Sequence, residues 1–363
     1  MLGLVPMVRA YYFCETCHRG FFPKDRELNV VESSFSPGVR RMAARLGGKG
    51  PFAEGRSDLL ELAGIEITAK EVERISEATG EKIRDLSRIE ISSAFSRSPT
   101  PGPETEILCI AIAGTGVPIV PWEQEGRKAK EAGKDRARTR EVKLGCVFTQ
   151  TTVDQEGKPV RDSASTSYVG AIETAEEFGP RIYTEAVRRE IGDARKVVLL
   201  GDGAIWITNL AEEHFPDATR ILDMYHAIEH ASDVSKAIYG AGSELARQWT
   251  ADRVLEIKAG DVEGLLQALQ QLHPSDKEKK ELVRKSLGYF ETNEKAMRYD
   301  EFRRKHFFVG SGVVEAGCRA IIGQRLKRSG MRWTVRGANA IIALRCCLLS
   351  GRWEEAWAKR LTG

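Results

Sequence analysis

Two short apolar runs in the stretch 196–226, KVVLLGDGAIWITNLAEEHFPDATRILDMYH, each deliver an aspartate: Val197–Leu200 leads to Asp202, and Ile221–Leu222 leads to Asp223. Carboxylates held beyond the carboxyl ends of strands suit a hard divalent cation or acid/base chemistry. His226 follows Asp223 by three residues and could orient that carboxylate or touch a phosphate. A plain N-capping aspartate ahead of a helical histidine has the same spacing. His226, Glu229 and His230 also fit H-x-x-E-H, with both histidines on one side of a helix as a zinc protease needs, yet no third ligand is evident. Near the start, Cys14-x-x-Cys17 followed by His18 is half of a zinc ribbon, because tetrahedral zinc takes four ligands, or else a lone knuckle or a pair of buried thiols. The other cysteines, at 109, 146, 318, 346 and 347, form no second pair of that spacing. The same residues match the c-type haem pattern, which no export signal accompanies here. Gly310-Ser311-Gly312 lacks the Lys-Ser/Thr of a P-loop and reads as a helix start or a close backbone approach to a ligand.

The elements that must position these groups follow from periodicity and turn signals. Residues 1–32 form the CxxC knuckle, and 33–97 read as short helices suited to a helix-turn-helix or a plain three-helix bundle. Pro37–Leu46 follows Ser36, Arg56–Ala63 ends at Gly64, and Thr68–Thr79 opens with a Thr68-x-x-Glu71 capping box. SPTPGP, inside 98–105, is a linker by composition. Ile107–Ala113 is a buried strand stopped by Gly114-Thr115-Gly116, and Trp122–Arg140 is a charged hairpin loop or flexible flap. Glu141–Val153 and Pro159–Gly170 supply two more strands, and Ile172–Glu190 a helix. Strand, helix and strand follow through 196–226, with Ala204–Glu213 as the helix, so 106–225 is a mixed sheet covered by helices. Residues 226–308 are helical, with one stripe at Leu265, Leu266, Leu269 and Leu272 and another at Leu282, Val283, Leu287 and Phe290. Val309–Gly312 opens a helix carrying Glu315, at the start of the closing segment 309–363.

The chain of 363 residues has a net charge of +3 and 42% hydrophobic residues, the profile of a soluble globular protein of two or three domains. No apolar run reaches the roughly 18 residues of a membrane span, and Met1–Ala10 is no signal peptide. An odd count of seven cysteines fits a reducing, cytoplasmic setting. The charge is unevenly spread. From Ala316 to Trp353 there is no acid, while Arg319, Arg325, Lys327, Arg328, Arg332, Arg336, Arg345 and Arg352 are present. A solvated face normally mixes signs, so this segment reads as a phosphate-facing surface for nucleic acid.

Four motifs in order, LGDGAIWI at 200–207, DMYHAIEH at 223–230, VGSGVVEAGC at 309–318 and QRLKRSGMRWTVRGANAIIALR at 324–345, resemble the bacterial insertion-sequence transposases of the Kra type. These are DDE transposases of the Mutator-like branch. The resemblance implies a ribonuclease H-like α/β core with a helical insertion, double-stranded transposon ends as partner, a homo-oligomer, and Mg²⁺ or Mn²⁺ as cofactor. It also implies Zn²⁺ at Cys14 and Cys17, in a family that usually carries a further cysteine pair upstream. Asp202 matches the second catalytic Asp and Glu315 the catalytic Glu, both as metal ligands, while Asp223 and His226 match a supporting Asp-x-x-His signature. The first catalytic Asp precedes Gly-Thr in that family, and Ala113 stands in its place here. The resemblance therefore implies a transposase impaired in cleavage, or a decayed or domesticated one that binds DNA without cutting it.

Overall fold

A computed structural model describes residues 3, 5–31, 33–94, 105–127 and 137–359. The 98–103 linker lies outside these residues, as does part of the charged loop at 122–140. The chain opens with a hairpin of β1 (Tyr12–Cys14) and β2 (Arg19–Phe21), then a short α1 (Pro23–Glu27). Three helices follow: α2 (Pro37–Lys49), α3 (Phe52–Ala63) and α4 (Ala69–Ala94). Their ends carry the expected devices. The Ser36 hydroxyl accepts from Val39 N–H, Gly64 closes α3 in the left-handed region (φ 62°), and Thr68 and Glu71 make the reciprocal capping box. The third helix runs well past Thr79, through Gly80.

The central sheet is built from β3 (Thr105–Pro118), β4 (Thr139–Gln150), β7 (Ser167–Ala171), β8 (Ala194–Gly201) and β9 (Thr219–Leu222), after the small pair β5 (Thr152–Val153) and β6 (Pro159–Val160). Its order is β7-β4-β3-β8-β9, with β4 antiparallel to β3 and β7, and β8 parallel to β3 and β9. The expected stop at Gly114 is corrected: β3 continues through Gly114-Thr115-Gly116 to Pro118, because β4 supplies partners as far as Thr139. A glycine weakens a strand only modestly when the ladder opposite it is complete.

One sheet face, with Leu108, Ile110, Ile112, Val147 and Leu199, is covered by α5 (Ala175–Arg188) and α6 (Ile205–His214) through Phe178, Ile182, Ile207 and Leu210. After β9 come the helices α7 (Met224–Tyr239), α8 (Glu244–Ala259), α9 (Val262–Gln270), α10 (Lys277–Asn293) and α11 (Tyr299–Arg304). Leu265, Leu269, Val283 and Phe290 of the two expected stripes are buried. The chain then returns to the second face, with Cys109, Ala111, Leu144, Cys146, Val198 and Leu200, in α12 (Gly312–Gly317), a π-helical turn at Cys318–Gly323, α13 (Gln324–Leu326), α14 (Val335–Leu349) and α15 (Trp353–Lys359). The protein is thus a mixed α/β structure, and no helix of the described residues is long and apolar enough to cross a membrane.

Candidate metal centre

Asp223 is wholly buried where β9 passes into α7. Its position is locked from three directions. Its own N–H donates to Gly201 O (2.7 Å) at the end of β8, and Met224 N–H donates to Val309 O (2.9 Å). Its Oδ1 caps α7 by accepting from Tyr225 N–H (2.7 Å) and His226 N–H (3.0 Å), while Oδ2 accepts from Ser311 N–H. Burial alone would raise this carboxyl; hydrogen bonds from His226 and Ser311 outweigh it and hold the group at about 2. Asp223 is therefore an anion at neutral pH, enclosed by donors.

Ser311 carries the arrangement onward. Its hydroxyl donates to Glu315 Oε1 (2.9 Å), and its carbonyl accepts from Glu315 N–H (3.0 Å) in the first turn of α12. Glu315 is exposed, and α12 lies against β3 and β4. His226 sits one turn into α7, with Nδ1 3.8 Å from Asp223 Oδ1, too long for a hydrogen bond. That Nδ1 is buried and has no hydrogen-bond partner among the described residues. Asp223 raises the imidazole above its ordinary value against the effect of burial, and Asp202 adds to the same field. Asp223, His226 and Glu315 each offer one ligand atom, and these atoms lie within 4.8 Å of one another. Two carboxylate oxygens and an orphaned imidazole nitrogen are a donor set that fits a divalent cation.

Asp202 falls outside this group. It stands just past β8, where its Oδ1 accepts from Ala204 N–H (3.0 Å) and its carbonyl accepts from Tyr289 O–H (2.9 Å). Ala113 is half-buried on β3. The β3–β8 pairing ends at Ala111 and Leu200, two residues short of both Ala113 and Asp202. His230, the other half of H-x-x-E-H, is not among the clustered ligands: its ring packs against Tyr289 (centroids 4.3 Å) and Phe290 (5.3 Å), and burial lowers its proton affinity. Cys14 and Cys17 are exposed thiols on the β1–β2 hairpin.

The basic segment divides into two populations. Arg319 and Arg332 are exposed. Lys327 donates to Thr115 Oγ1 (2.6 Å), Arg328 pairs with Glu54 (3.1 Å), and the exposed Arg336 grips Glu81 with two nitrogens. Arg325 and Arg345 are interior residues, contrary to the expected phosphate-facing role for Arg325 and its segment. The Arg325 guanidinium lies between Phe52 (4.6 Å) and Trp333 (4.9 Å), and its Nε donates to Gly47 O (2.9 Å). Arg345 donates to Gly48 O (2.6 Å) and Ala320 O. The acids that the segment lacks are replaced by backbone carbonyls and by glutamates from α3 and α4.

Ser311 is the residue that sequence reasoning passed over. In the sequence it stands between two glycines that read as a helix start or a close backbone approach, and nothing local signals that it joins Asp223 to Glu315. No curated protein matches the chain. Residues 181–360, a span that holds Asp202, Asp223, His226, Ser311 and Glu315, are similar to an uncharacterised protein family (UPF0236).

Proposed function

We propose that this chain is a DNA-binding protein of the DDE transposase type, with a divalent-cation site at Asp223, His226 and Glu315 beyond the ends of β8 and β9. The observation that carries the proposal is the convergence of three ligand atoms within 4.8 Å from α7 and α12, elements separated by the whole helical insertion. The element order supports it: three strands, helix, strand, helix, strand, helical insertion, then the helix of the glutamate, as a ribonuclease H-like core requires. Bound Mg²⁺ or Mn²⁺ would supply Lewis-acid activation of water and of a phosphodiester oxygen. An imidazole among the donors favours Mn²⁺ over Mg²⁺, which prefers oxygen alone.

The residues of the chain have separable parts in this reading. Asp223 is fixed and anionic, Glu315 is exposed and reaches the cluster through Ser311, and His226 presents the orphaned nitrogen. Asp202 follows β8, and position 113 lies on the neighbouring β3, each two residues past the last β3–β8 pair. A carboxylate at 113 would join Asp202 there, and alanine offers none. This favours a chain that binds DNA and cleaves it poorly.

The test is a cleavage assay on labelled terminal-repeat DNA with Mg²⁺ or Mn²⁺, run on the unaltered chain and on Ala113→Asp. Both should bind, and only Ala113→Asp should nick. Failure of both to bind DNA would overturn the transposase reading. Nicking by the unaltered chain would refute the impaired-cleavage reading, and binding without any gain in Ala113→Asp would sink the role given to position 113.

A further inference from the structure

We propose that the cavity between α4, α5, β7 and the α14–α15 pair binds an apolar α-amino acid, whose ammonium meets Glu185 and whose carboxylate meets Arg84. The cavity measures about 540 Å³, within the roughly 300–1,000 Å³ of small-molecule sites. Ile83 and Leu86 of α4, Val169 of β7, Val187 of α5, Ala343 of α14 and Ala356 of α15 give it apolar walls. Asp223, His226 and Glu315 do not line it, so it is a second site.

Glu185 is the group that calls for a ligand. It is 3% exposed and lines the cavity from α5. Its Oε2 accepts from an Arg352 guanidinium nitrogen (2.8 Å). Its Oε1 is buried and has no hydrogen-bond partner among the described residues. The Ser167 hydroxyl favours the charged form without meeting hydrogen-bond geometry. A buried carboxylate oxygen is costly unless something donates to it. Burial raises this carboxyl, with Arg188 opposing, and a cationic N–H donor at Oε1 is the partner that would hold it as an anion.

Arg84 has the opposite need. Among the described residues four arginines line the cavity, and three have acids: Arg181 with Glu173 (2.6 and 2.8 Å), Arg188 with Glu90, and Arg352 with Glu185. Arg84 is half-buried and makes no hydrogen bond or ion pair among the described residues. Burial lowers its guanidinium, and Arg88 and Arg181 push the same way, so it is short of an acceptor. Arg84 lies in the field of Arg181, and Glu90 meets Arg188, so α4 and α5 run side by side in one direction. Arg181 and Glu185 are one turn apart on α5, which sets Arg84 and Glu185 about 6 Å apart along the helices. An α-amino acid carries both charges on one carbon, within reach of two groups a turn apart, and leaves its side chain for the apolar walls. A phosphate ester would set a second anion against Glu185, so nucleotides are the wrong class.

The experiment is calorimetric titration of the full chain with L-phenylalanine, L-leucine and L-methionine. Phenethylamine and hydrocinnamate, which each lack one of the two charges of phenylalanine, are the comparison ligands. We expect saturable binding of one amino acid per chain, weakened about tenfold or more for either comparison ligand. Arg84→Ala should weaken phenylalanine by a similar factor and erase its advantage over phenethylamine. Glu185→Gln should do the same and erase its advantage over hydrocinnamate, a split that general loss of structure would not produce. Because Glu185 is an interior residue, Ala343→Phe is a further variant: it keeps both charges, fills the cavity and should abolish binding while circular dichroism matches the parent. Failure of all three amino acids to bind would overturn the proposal. So would equal binding of the comparison ligands, or binding indifferent to Arg84→Ala and Ala343→Phe.

Discussion

Asp223 is wholly buried and accepts hydrogen bonds from the backbone N–H groups of Tyr225, His226 and Ser311. Its spacing to His226 was visible in the sequence, and so was its N-capping geometry. Its tie to Ser311, 88 positions away, was not, because no local pattern encodes a contact across an insertion. The low proton affinity of this carboxyl has a consequence for stability. A group held at about 2, against an ordinary 3.8, contributes stability that is full above the unfolded value and is lost as pH falls through 2. The contribution is about 2 kcal/mol. Asp223→Asn should therefore be less stable than the parent at pH 6 in chelator, and the gap should close between pH 4 and pH 2. Urea unfolding across that range is the measurement, and a gap constant with pH would refute the assignment. The same substitution should weaken Mn²⁺ binding by about 10–100-fold or more in a calorimetric titration, as should Glu315→Gln.

At the scale of elements, local signals served well where the structure is local. Ser36, Gly64 and the Thr68–Glu71 box set the helix ends that they announce, and continuous apolar or β-branched runs mark β3, β4 and β8. The misses come from tertiary partners. The helix expected over Thr68–Thr79 runs on through Gly80 as α4, and α14 crosses it there: a Cβ on Gly80 would come 2.0 Å from the carbonyl oxygen of Ala340. Gly80→Ala should force the two backbones apart and cost about 1–3 kcal/mol in denaturant unfolding, although alanine favours helices. Arg325 is the charge counterpart. Counting arginines assigned it to DNA, whereas its guanidinium is walled in by Phe52 and Trp333 and pushed down to about 10 by burial. Arg325→Ala should destabilise the fold by about 3 kcal/mol through the lost stacking and the orphaned Gly47 carbonyl. In contrast, Arg332→Ala should leave unfolding unchanged and lower the salt slope of DNA binding by about one. Equal effects of the two substitutions on DNA affinity in the folded protein would contradict this division.

For the molecule as a whole, the sequence suggested an N-terminal helical region joined to a core by a linker, and composition alone cannot say whether such a region stands apart. The contacts across that boundary are interior ones apart from the exposed Arg336–Glu81 pair. Gly80 meets Ala340, Arg325 and Arg345 donate to the carbonyls of Gly47 and Gly48, and Arg336 clasps Glu81. Ala43, Ala44, Leu59, Val72 and Ile75 belong to the same apolar core as Ile341, Ile342 and Leu344 of α14. An interface that buries donors and glycines in this way is expensive to open, because each arginine would lose its acceptor and each helix its apolar cover. The helices α2–α4 therefore act as part of the core, and DNA held on them would be registered rigidly against the Asp223 site. Two polypeptides divided within residues 95–104 and coexpressed should copurify as an equimolar complex whose far-ultraviolet circular dichroism matches the intact chain. Residues 33–94 expressed alone should lack cooperative unfolding. Cooperative unfolding of that piece by itself, or failure of the two pieces to associate, would show instead that the helices are an independent module carried beside the core.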